Sequence, residues 1–104
     1  MTVSRRCREK FCAALHRLAV GEGDVRSRLR GAYRYLNMLS VNEVPPALRD
    51  EWASILTALT RQGPEKGPDG ELYRRAVDNT MSHIRNRTGR AIAERIYALV
   101  REID

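Results

Sequence analysis

The sequence is poor in the residues from which most catalytic and metal sites are built. Its 104 residues include two histidines, two cysteines, one tryptophan and one phenylalanine. Cys12 and His16 stand four apart and share a helical face, but a zinc site takes three or four protein ligands. No CxxC, HxxxH or HExxH pattern supplies the others. Cys12 therefore reads as a small core hydrophobe beside a boundary histidine, and His83 as a surface or half-buried residue near a basic turn. Cys7 and Cys12 lie about 140° apart on a helix, too divergent to bridge. Reduced thiols fit the cytoplasm, the expected location.

Other chemical patterns are missing as well. Asp50 and Glu51 are consecutive and point about 100° apart on a helix, so they form no carboxylate dyad. Gly63, Gly67 and Gly70 lack the order of a phosphate-binding loop, and no strand precedes them. These gaps lead to the expectation of a non-enzymatic protein with no catalytic residues, no metal site and no cofactor.

Long apolar runs are absent too. None exceeds five residues, as in Phe11–Leu15, whereas a membrane-spanning helix needs about 20. No membrane contact is expected. The basic N-terminus lacks the apolar stretch of a signal peptide, so export is not expected and the acceptor-like Asn86-Arg87-Thr88 reads as a chance match.

What the chain has in quantity is arginine. Of 19 basic residues only Lys10 and Lys66 are lysine, and the net charge is +6. Residues 1–35 carry nine basic and three acidic residues, so the first third alone accounts for a charge of +6. Arginine suits bidentate recognition of phosphate better than lysine does.

Hydrophobic residues recur at helical spacing, which predicts an all-α fold: a small bundle of four or five helices in one domain spanning 1–104. Cys7, Phe11, Ala14, Leu15 and Leu18 form the stripe of a helix over 4–20, capped by Ser4 and stopped by Gly21 and Gly23. Asp24 caps a second helix, to about residue 39, with Val25, Leu29, Ala32, Leu36 and Leu39 inward. Val44, Pro45 and Pro46 lead into a third over 45–61, with Leu48, Trp52, Ile55 and Leu59 on one side. Residues 62–70 hold three glycines and two prolines and read as a mobile loop. Asp69 is expected to cap the C-terminal helical region, whose stripes are Leu72, Ala76, Val77, Met81 and Ile84, then Ile92, Ile96, Leu99 and Ile103. The region reads either as one long helix, bent near Gly89, or as two helices joined at Arg87–Gly89, and the second stripe lies about 40° round from the first. No strand is expected. Leu15, Leu18 and Ile84 join the predicted core.

Two arginine groups form the candidate partner surface. Arg26, Arg30 and Arg34 repeat every four residues, a spacing at which like charges weaken a helix by roughly 0.2–0.5 kcal/mol per pair. Glu22, Glu43, Asp50 and Glu51 are the expected neutralisers. Arg85, Arg87 and Arg90 cluster around the turn before Gly89. A helix-turn-helix is disfavoured, because the connection after the second helix is long and the third helix starts acidic. The expected function is a protein-interaction or regulatory module. Its partner is a protein or a second copy, a homodimer formed by the C-terminal helices; nucleic-acid binding through the arginines is the alternative.

Overall fold

Two side-chain caps begin the fold, and the computed structural model describes residues 3–103. The Ser4 hydroxyl accepts a hydrogen bond from the Cys7 amide at 3.1 Å, opening α1 (Arg5–Val20). The Asp24 carboxylate accepts from the amides of Arg26 and Ser27, opening α2 (Val25–Leu36). Two 3-10 turns at Val41–Glu43 and Pro46–Leu48 then deliver the chain into α3 (Arg49–Leu59). After a short hairpin come α4 (Ala76–His83) and α5 (Asn86–Arg101). Among the described residues the fold is all-α, a bundle of five α-helices, as the periodicity predicts.

Two local expectations are corrected. The chain does form strands: β1 (Glu65–Lys66) pairs antiparallel with β2 (Leu72–Arg74) through an irregular register. This ladder arises from a turn in which Gly67 donates to the Glu71 carbonyl at 2.8 Å, and so carries no alternating hydrophobic signature. The loop itself is tied at its start. Gln62 donates to the Thr80 hydroxyl at 3.0 Å, and Asn79 donates to the Gly63 carbonyl at 2.9 Å. Asp69 does not cap α4; it accepts from the Glu71 amide inside the hairpin turn, while Arg75 occupies the cap position with no side-chain bond.

The C-terminal region is two helices, and the break falls at Ile84 and Arg85 instead of a bend at Gly89. Both residues are extended, with ψ of 157° and 160°. The side chains of Ser82 and His83 turn back onto the Asn79 carbonyl in the last turn of α4, each at 2.7 Å. The break also resolves the phase mismatch between the two stripes, so Met81 and Ile96 can both be buried. Gly89 lies inside the first turn of α5, where a Cβ would come within 2.9 Å of the Val25 methyl. It is there for close approach of α5 to α2.

The core is one cluster in which Phe11, Leu29, Leu36, Ile55, Leu59 and Ile96 are wholly buried. Trp52 belongs to the same cluster and donates from its indole to the Leu36 carbonyl at 3.1 Å. The molecule measures 47 × 27 × 18 Å, and since a helix is about 10 Å across, the short dimension holds two layers. Two layers cannot cover every helix on all sides. Leu15, Leu18 and Ile84, expected in the core, are only partly buried against it. Cys7 is the buried thiol and Cys12 is exposed, the reverse of the expectation for Cys12, because α1 turns the 7-11-14 face inward.

Candidate functional site

Arg26, Arg30 and Arg34 each follow a position of the α2 stripe by one or two residues, so they border the buried face and meet α4. Arg26 is half-buried and grips Asp24 through two of its nitrogens, at 2.9 and 3.2 Å, while a third donates to the Ile84 carbonyl at 3.3 Å. The Arg26 guanidinium holds the Asp24 carboxyl below its ordinary range, with the Ser27 amide adding to the effect. Arg30 pairs with Asp78 of α4 at 3.4 Å. The neutralising acids are thus Asp24 and Asp78, not the expected set. Glu43 pairs instead with Arg6 at 2.9 Å, and Glu51 with Arg95 at 2.7 Å.

Arg34 makes no ion pair among the described residues. It lines a cleft of about 340 Å³ between α2 and α4 together with Arg30, Tyr33, Asn37, Arg75 and Asp78. Arg75, which the sequence places only near the start of the fourth helix, arrives here because it ends the hairpin and begins α4. Its convergence with Arg34, 41 positions earlier in the chain, has no signature in the sequence.

The second arginine group does not join the first at one site. Arg85 caps α5 through its backbone alone, Arg87 is exposed in the first turn, and Arg90 lies on the opposite seam, between α5 and α1. That seam is a broad groove of about 510 Å³ whose walls are Leu15, Leu18 and Ala19 of α1 and Ala93 and Tyr97 of α5, with Arg90 and Glu94 at its edge. Residues 90, 93, 94 and 97 make a second helical stripe on α5, beside the buried one. Tyr97 is 50% exposed.

The remaining candidates stay apart. Cys12 and His16 are both exposed on α1, and among the described residues no three histidine, cysteine or acidic side chains stand together as a metal site would require. Burial pushes the Cys7 thiol up, and nearby Glu43 adds to this, so Cys7 is a protonated core side chain. Tyr35 is flanked by Lys10 and Arg17, each 5.9 Å from its ring centre. Among the described residues no helix is long and apolar enough to cross a membrane.

The chain matches no family model, no curated protein and no solved structure. Its function is therefore read from its own surfaces, the α2/α4 cleft and the α1/α5 groove.

Proposed function

We propose that this protein is a non-enzymatic helical interaction module that pairs with a second copy of itself through the face shared by α1 and α5. The observation that carries the reading is the apolar groove of Leu15, Leu18, Ala19, Ala93 and Tyr97, rimmed by one basic and one acidic residue of the same helix. A closed two-fold interface uses one patch twice, so the patch must complement itself. With the two α5 helices antiparallel, Arg90 of one copy meets Glu94 of the other, and the reverse contact forms across the axis. Ala93, between them, is small enough for close helix approach, and Tyr97 is an amphipathic side chain of the kind interfaces favour.

The reason for a dimer differs from the one the composition suggests. The C-terminal helix is not long, but α5 still carries a stripe that its own chain leaves open. Two 16-residue helices side by side offer a strip of roughly 24 by 20 Å. Doubled, that is about 1,000 Å², at the low end of specific interfaces. A micromolar dimer is the expected strength.

Light scattering across a series from low micromolar to submillimolar protein tests this. The mass should rise from monomer to dimer. Arg90→Glu should abolish the rise by setting like charges opposite each other, and Arg90→Glu combined with Glu94→Arg should restore it. A wild-type mass that stays monomeric throughout, or a double variant no better than the single one, would refute the pairing.

A further inference from the structure

A second surface, independent of the α1/α5 face, is concave and carries a charge imbalance that the fold does not correct. The cleft between α2 and α4 gathers three guanidinium groups, Arg30, Arg34 and Arg75, and one carboxylate, Asp78. Asp78 is committed to Arg30 at 3.4 Å. Arg34 and Arg75 have no carboxylate within 4.0 Å among the described residues. Three cations against one anion leave two positive charges facing a space of about 340 Å³. Arg30 and Arg34 also stand four apart on α2, where like charges repel. An anion between them would relieve that repulsion.

We infer that the α2/α4 cleft binds a phosphate monoester of a small polar molecule, its dianionic group held by Arg34, Arg75 and Arg30. A phosphate monoester carries about −1.5 to −2 charges at neutral pH, matching the two uncompensated positive charges. Guanidinium groups present paired donors that fit phosphate oxygens two at a time. The remaining walls suit an organic body. Tyr33 and Val77 give an apolar side, and Asn37, at the end of α2, gives an amide that can both donate and accept. The volume lies near the lower bound for small-molecule pockets, which run from about 300 to 1,000 Å³. That is room for a phosphate with a sugar-sized attachment and too little for a stacked base pair or a protein segment. The amides of Ala76 and Val77, at the open end of α4, receive no side-chain cap and add two donors on the same side.

The arrangement also assigns Asp78 a part. Its carboxylate holds Arg30 to one wall, so that arginine is positioned before ligand arrives, and the two unpaired arginines make the principal contacts.

The test is titration calorimetry of the full chain with ribose 5-phosphate and with inorganic phosphate, at constant ionic strength. Saturable binding of the ester at one site per chain is expected, with inorganic phosphate binding more weakly at the same site. Arg34→Gln and Arg75→Gln should each weaken it by about tenfold or more, the scale of a lost charged hydrogen bond. Neither arginine has an acidic partner among the described residues, so the melting temperature without ligand should not fall. Arg5→Gln, a change at an exposed arginine paired with Glu9 on α1, should leave binding intact. Equal binding by wild type and the Arg34→Gln/Arg75→Gln double variant would overturn the inference, as would absence of saturable heat. An oligonucleotide arm separates the other source of phosphate: binding of single- or double-stranded oligonucleotide without binding of either small phosphate would also overturn it. Because Arg34 and Arg75 lie away from the α1/α5 groove, the dimer can fail while this site stands, and the reverse.

Discussion

The indole nitrogen of Trp52 donates to the main-chain carbonyl of Leu36 across 3.1 Å, fastening the end of α2 to α3. The last carbonyls of a helix have no partners within it, and Trp52 satisfies one of them in the interior while its ring covers the core. Trp52→Phe keeps the apolar surface and removes the donor. The Leu36 carbonyl keeps the Leu39 amide at 3.5 Å, so the expected cost is about 0.5–1.5 kcal/mol, the net worth of one hydrogen bond. Urea unfolding followed by helical circular dichroism measures it. An unchanged midpoint at constant slope would show that the hydrogen bond contributes nothing.

Gly31 and Gly89 should respond in opposite directions to the same substitution. Alanine is favoured over glycine within a helix by about 1 kcal/mol. At Gly31 a new Cβ would meet the flexible stem of Arg17 at 3.4 Å, an ordinary contact, so Gly31→Ala should raise the melting temperature. At Gly89 the nearest atom is a methyl of Val25 at 2.9 Å, with Leu29 at 3.4 Å behind it. Val25 is β-branched and stiff, and overpacking of this kind costs about 1–3 kcal/mol. Gly89→Ala should therefore lower the melting temperature despite the gain in propensity. Shifts of the same sign in a thermal melt would contradict the close approach of α5 to α2.

Acid should weaken the link between α3 and α5. Glu51 accepts from two nitrogens of Arg95, at 2.7 and 3.3 Å, and Arg95 also donates to Ser54 at 2.8 Å. The hydrogen bond from Arg95 holds the Glu51 carboxyl below its ordinary value, opposed in part by desolvation. Folding thus lowers this pKa. The stability it adds is complete above the unfolded value of about 4.3 and is lost as pH falls through the lower folded value. Both side chains are more than a third exposed, and solvent screening keeps such a pair to about 0.2–1 kcal/mol. Glu51→Gln should be less stable than wild type by that amount at neutral pH, and the two urea midpoints should converge toward pH 3. A gap independent of pH would rule out the ion pair as its source.

Much of this architecture is legible along the chain, for reasons that are local. The caps at Ser4 and Asp24 and the stripes through Phe11, Leu29, Leu36, Ile55 and Ile96 involve residues within one or two turns of each other. Period and capping chemistry reveal them without any knowledge of neighbours. The class of fold, the first two helix starts and most of the core are determined by that information.

Three-dimensional packing decides which side of each helix stays uncovered and which charges meet. Leu15 and Leu18 have the spacing of core residues, but a two-layer molecule brings no element over them, and they become the wall of a groove. Ile84 ends α4 because two stripes out of phase cannot share one straight helix. Arg34 and Arg75 come together across 41 positions, and Arg30 finds Asp78 across 48. Hydrophobic periodicity reports the direction of burial for one helix at a time; the partner of a charged side chain depends on how helices dock, and docking is a property of the whole packed chain.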